Sequence, residues 1–190
     1  FYRGKPKFVI PNEVVREQVY TYLLDNYNDN QLETDSYRLG QLEENMAYDG
    51  DFKPFFHYIA DSIHTFASQR DRQKGEAFVH GYTLALTSQC SYYRPISELD
   101  NQGGYADIFL RPRQEIFTDM EHSYIIELKY LPMTATDAEA EKQWNEAEEQ
   151  IRGYAKGKVV RQMTQGTELH LIIAQIKGYD LLRLDQVDSE

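Results

Sequence analysis

Apolar residues in the first third of the chain recur at helical spacing. Val15, Val19, Tyr22 and Leu23 return to one face of a 3.6-residue repeat, which predicts a helix over 12–26 with Asn12 as its cap. Residues 27–35 are polar and turn-like. Leu39, Leu42 and Met46 predict a second, shorter helix over 36–48. A third is expected from a cap at Asp51, with Phe55, Tyr58, Ile59, Ile63 and Phe66 as its stripe. Residues 68–75, SQRDRQKG, form a charged break and the best candidate boundary. Beyond it, 76–87 reads as a buried helix. Phe78, Tyr82, Ala85 and Leu86 share one side, while Glu76, His80 and Thr83 return to the other.

The period then changes. Residues 89–96 suit a strand, and a polar turn at Asp100 and Asn101 leads to Gly103-Gly104 and a strand carrying Asp107. A hairpin connection over 111–123 precedes the strand Ile125-Ile126-Glu127-Leu128-Lys129-Tyr130, which Pro132 ends. Ala140, Trp144, Ala147, Ile151 and Tyr154, at spacings of four, three, four and three, predict a long helix over 137–156 with Gln150 at the stripe's edge. The nearly continuous apolar run 169–175 reads as a central strand, and Gly178 turns the chain into a last strand over 180–184. From residue 75 the order is helix, three strands, helix, two strands. Three successive strands can form an antiparallel meander, and the later helix can cross over to a parallel partner. The expected class is a mixed α/β sheet flanked by helices over 75–190, preceded by a helical segment over 1–70.

Composition narrows the partners. The net charge of −11 over 190 residues supplies no global basic field for nucleic acid, which counts against a simple nucleic-acid-binding protein. It leaves room for a nuclease that binds a divalent ion through carboxylates. A lone cysteine, Cys90, excludes an intramolecular disulfide framework and a cysteine-based zinc cluster, and fits a small buried residue in a reducing cytoplasm. No apolar run approaches the roughly 20 residues that span a bilayer. No signal peptide opens the chain, and a start at Phe1 without Met suggests a fragment of something longer.

The chemistry lies in the two charged strands. Alternate strand residues share a face, so Glu127 and Lys129 point one way and Ile126, Leu128 and Tyr130 the other. Charges in apolar strands are costly unless paired or bound to a metal. Asp107, on the neighbouring strand, can converge on Glu127, and two facing carboxylates repel unless a cation sits between them. A buried Lys129 salt bridge alone would leave one carboxylate unpaired. A hard divalent ion such as Mg²⁺ answers both, since it takes oxygen ligands and keeps several waters. Lys129 would then reach the water side and orient a nucleophile or stabilise a phosphate. A glycosidase acid–base pair is the poorer fit, because Lys129 has no place in it. His80 is expected to be a satisfied core or interface histidine.

Asp107 followed about twenty residues later by Glu127-Leu128-Lys129 resembles the PD-(D/E)XK nuclease signature, on the matching order of elements. Glu76-x-Phe78-x-His80-Gly81, Gly104-Tyr105-Ala106-Asp107-Ile108 and Gln150-Ile151-x-x-Tyr154 are similar to motifs of a narrower subfamily, found at the C-terminus of bacterial AAA-ATPase-like proteins. Ile10-Pro11-Asn12-x-Val14-x-Arg16 resembles the segment that follows the ATPase module there, and Ala106 departs from the proline that commonly precedes the aspartate. The resemblance implies a restriction-endonuclease-like fold and a Mg²⁺-dependent (Mn²⁺ also suited) hydrolase of phosphodiesters, with DNA as the favoured substrate and an N-terminal ATPase-like module as partner. Oligomerisation is left open. Asp107, Glu127 and Glu76 would be metal ligands, Lys129 the catalytic lysine, and Gln150 a support from the second helix. Tyr154 is expected to be packing. The alternative is a catalytically silent module of the same fold that docks to the ATPase or to nucleic acid. A basic rim drawn from Arg94, Arg111, Arg113, Lys129 and Lys156 would favour cleavage.

Overall fold

The computed structural model describes residues 35–70, 75–89, 91–100 and 105–188, with Gln18 and Tyr22 before them. Most of the helix expected over 12–26, the Gly103-Gly104 pair and Cys90 therefore lie outside the described residues. Five helices and five strands follow: α1 (Ser36–Asp49), α2 (Lys53–Arg70), α3 (Gly75–Thr87), β1 (Tyr93–Asp100), β2 (Tyr105–Pro112), β3 (His122–Leu131), α4 (Asp137–Ala155), α5 (Lys158–Met163), β4 (Glu168–Lys177) and β5 (Asp180–Val187). They build a mixed α/β protein of the expected restriction-endonuclease-like type.

The five strands lie in sequence order, β1-β2-β3-β4-β5. The first three form the expected antiparallel meander, and α4 carries the chain over to β4, which runs parallel to β3. β5 returns antiparallel at the far edge. Alternation divides the core. Tyr124, Ile126 and Leu128 of β3, with Ile172, Ala174 and Ile176 of β4, pack under α1, α2 and α3. Ile125, Leu171 and Ile173 pack instead against Trp144, Ala147 and Ile151 of α4. The α4 stripe is buried as its spacing requires, and a capping box between Thr136 and Glu139 starts the helix.

Local differences from the sequence reading have simple causes. β1 starts at Tyr93 and runs through Asp100, because Tyr93 pairs with Pro112 and Asp100 with Tyr105 across the hairpin. Its polar stretch is tolerated because β1 is an edge strand, with one side free of a sheet neighbour among the described residues. The α2 start falls one residue past expectation: the Phe52 carbonyl, not the Asp51 position, accepts the first helical bond, from Phe56 N at 3.2 Å. Burial of Phe52 in the core outweighs the capping preference of Asp51. The short α5, capped at Gly157, has no apolar stripe long enough to announce it.

Candidate active site

The site forms where β2 and β3 part. Their pairing runs only from Leu110↔Tyr124 to Ile108↔Ile126. One residue further, the Asp107 carboxylate takes over from the backbone: Oδ2 accepts from Leu128 N at 2.9 Å. A side chain thus satisfies a strand N–H that the ladder has abandoned, and it pins Asp107 beside Glu127. The gap admits α3, whose His80 Nε2 donates to the Asp107 carbonyl at 3.2 Å. His80 is therefore a satisfied histidine, and the carbonyl it grips belongs to the site. Glu76, Ala77, Val79 and His80 of α3 face Asp107, Leu128, Lys129 and Tyr130 across an opening of about 250 Å³.

Glu127 lies behind Lys129 and is only 2% exposed, against 21% for the lysine. Lys129 Nζ donates to Glu127 Oε1 at 2.6 Å and to Gln150 Oε1 at 3.0 Å. The α4 helix supplies Gln150 because a residue at the edge of its buried stripe borders the sheet. An ammonium has three protons, so one remains for a ligand in the opening. Glu127 Oε2 is buried and has no hydrogen-bond partner among the described residues. Burial first, then the charge of Asp107, pushes the Glu127 carboxyl up to about 7, with Lys129 pulling in the other direction. Tyr154, expected to be packing, is buried in the α4 core. Its hydroxyl is pushed up to about 12, by burial first and then by Glu127 and Asp107, so it borders both carboxylates.

The structure thus brings Asp107, Glu127, Lys129 and Gln150 together. Glu76 stands across the opening as an exposed residue. Glu76, Asp107 and Glu127 do not gather within 4.8 Å of one another; among the described residues only His122, Glu168 and His170 do so, at the other end of the sheet. Glu168-x-His170 at the strand period of two was the sequence signal for that group, and sequence reasoning passed over it. The expected basic rim is also corrected. Of its five residues only Lys129 lines the opening. Arg111 lies four residues along β2 from Asp107, roughly 13 Å away at strand rise. Arg94 is its register partner and reaches Glu115 at 3.9 Å, while Arg113 donates to Ser91 O. Lys156 caps α4 and lines a different groove, with Arg161, Glu168 and Gln186. These positions follow strand register, which composition does not reveal.

The residues present fit a hard divalent cation. The donors are oxygens, two carboxylates adjoin, and a buried carboxylate oxygen lacks a partner among the described residues. No helix among the described residues is long and apolar enough to cross a membrane. A profile of the PD-(D/E)XK nuclease superfamily matches residues 74–185, more than half of the chain. No curated protein and no solved structure matches.

Proposed function

Since the chain belongs to the PD-(D/E)XK nuclease superfamily, we propose that the opening between β2, β3 and α3 is the active site of a Mg²⁺-dependent nuclease acting on DNA. The observation that carries this reading is the orphaned Glu127 Oε2, set beside Asp107 with Lys129 between it and solvent. Asp107 and Glu127 would hold the ion, and Glu76 would reach it through water from across the opening. When bound, the ion supplies Lewis acidity and a water of lowered pKa. Lys129, fixed by Glu127 and Gln150, uses its remaining proton to hold the nucleophilic water or a non-bridging phosphate oxygen. Hydrolysis forms a bond from the water oxygen to phosphorus and breaks the bond to the leaving sugar oxygen; the water gives up a proton to solvent and the leaving oxygen takes one from it. His80, on the Asp107 carbonyl, keeps that carboxylate at the mouth.

The nuclease-like unit is read as 75–190, after the helical segment. The narrower resemblance to proteins with an N-terminal ATPase-like module extends the proposal to such a partner and to a cytoplasmic setting. Its N-terminal motif, Ile10 to Arg16, lies outside both the described residues and the 74–185 match.

One observation favours the second reading, a silent docking module: Lys129 is the only lysine or arginine lining the opening among the described residues, in a chain of net charge −11. Incubation with plasmid, linear and single-stranded DNA, with Mg²⁺ or Mn²⁺ against EDTA, separates the two. Cleavage should require the ion and fall at least about 100-fold in Lys129→Ala, the scale of removing one group that stabilises transition-state charge. Equal activity in variant and wild type would remove the assignment; binding without cleavage under every condition would favour the docking module.

A further inference from the structure

We propose that His122, His170 and Glu168 form a second metal site, built for a borderline transition ion of the Zn²⁺ type. The site is independent of the nuclease reading. The parallel register places His122 of β3 opposite Glu168 of β4, and Tyr124 opposite His170. Glu168 and His170, two residues apart on one strand, share a face with His122. That register brings His122 Nδ1 to 2.8 Å from His170 Nε2 and to 3.9 Å from Glu168 Oε2. All three ligand atoms lie within 4.8 Å of one another.

The surroundings orient the two imidazoles as ligands. His170 Nδ1 lies 2.9 Å from Gln186 Oε1 on β5. A carbonyl oxygen only accepts, so the proton sits on Nδ1 and the Nε2 lone pair faces the group, the arrangement that outer partners impose on metal-binding histidines. The His170 ring is 6% exposed and stacks on Tyr124 at 4.9 Å, and Tyr124 is tied in turn to Met46 O at 2.8 Å. The His122 ring lies against Gly50, the left-handed cap of α1, where an added Cβ would come 3.1 Å from Cε1. Glycine is needed there twice over, for its φ of +70° and for the close approach of the ring.

In the metal-free protein one shared proton joins the two rings. An ion would replace it. Two nitrogens on one tetrahedral ion at ~2.0–2.1 Å stand about 3.3 Å apart, so the pair opens by roughly half an ångström. Glu168, whose side chain is 66% exposed, swings in from solvent as third ligand. Two imidazoles and a carboxylate favour Zn²⁺, Co²⁺ or Ni²⁺ over Mg²⁺. His122 and Lys129 are seven residues apart on one strand, roughly 23 Å, and on opposite faces. The ion would therefore clamp β3 to β4 at the end of the sheet far from the catalytic opening, and its binding free energy would add to folding.

The test titrates metal-free protein with Co²⁺ and, separately, Zn²⁺ under excess Mg²⁺, which occupies the carboxylate opening. One equivalent of Co²⁺ should give a visible ligand-field band, and one equivalent of Zn²⁺ should raise Tm. Both should persist in Asp107→Asn and vanish in His170→Gln. Should His170→Gln misfold, the exposed variants Glu168→Ala and Gln186→Ala carry the test, each keeping the native circular dichroism. Gln186→Ala should weaken Zn²⁺ by about 10–100-fold, and Glu168→Ala should raise the Kd as well. Absence of both signals in the wild type, loss of them in Asp107→Asn, or unchanged affinity in Glu168→Ala and Gln186→Ala would overturn the site.

Discussion

Glu43→Gln should stabilise the protein progressively as pH rises from acid toward neutral. Glu43 sits on the inward face of α1 between Leu39 and Met46, fully buried. Its Oε1 has no hydrogen-bond partner among the described residues, and its Oε2 lies 3.5 Å from Tyr92 N, a marginal bond. Burial drives the carboxyl well above the usual range, outweighing the backbone N–H groups of Tyr92 and Ser91 and the charge of Arg113. With the folded pKa raised, the folded protein keeps a proton that the unfolded chain has released. The group's contribution to stability is complete below the unfolded pKa of 4.5 and is lost as pH rises toward the folded pKa. Within that window each pH unit removes about 1.4 kcal/mol. Glutamine keeps the shape and carries no titrating proton. Urea unfolding of both proteins in EDTA, near pH 5 and near pH 6, isolates the effect, because other groups titrate alike and cancel in the difference. The variant's stability relative to wild type should improve across that unit, by at most about 1.4 kcal/mol. A difference that stays constant with pH would show that Glu43 ionises normally, and would refute the burial argument.

Asp107→Asn should abolish stabilisation by Mg²⁺. Wild type at an ion concentration of 100 Kd should gain about 2.7 kcal/mol, read as a rise in Tm, and a variant that responds equally would place the ion elsewhere. Thr136→Ala removes the hydroxyl that accepts from Glu139 N at 3.3 Å and donates to Glu139 Oε2 at 2.9 Å. It should cost about 1 kcal/mol, seen as a lower urea midpoint at unchanged m-value, with DNA cleavage unaffected because Gln150 lies four turns along α4.

Much of this protein is written in local periodicity. The α4 stripe from Ala140 to Tyr154, the order of elements after residue 75 apart from the short α5, and the placement of Glu127 and Lys129 on one strand face all follow from spacing alone, because side-chain direction repeats every 3.6 or 2 residues. The Asp107–Glu127–Lys129 set was legible for the same reason: charge in an apolar strand is expensive wherever the strand ends up. Glu43 was legible too, at four and three residues from Leu39 and Met46, but the apolar residues beside it drew the reading away.

What one stretch of chain contributes to another was not legible. Register between β3 and β4 joins His122 to Glu168 and His170, residues more than forty positions apart. The early parting of β2 from β3 opens the site and seats Asp107 on Leu128 N, while pairing with Arg111 holds Arg94 away from the opening. Local spacing was enough to place most elements and the charges they must accommodate. Which charges meet was settled by the folded chain, since pairing across strands depends on distant partners and turn lengths that no local period encodes.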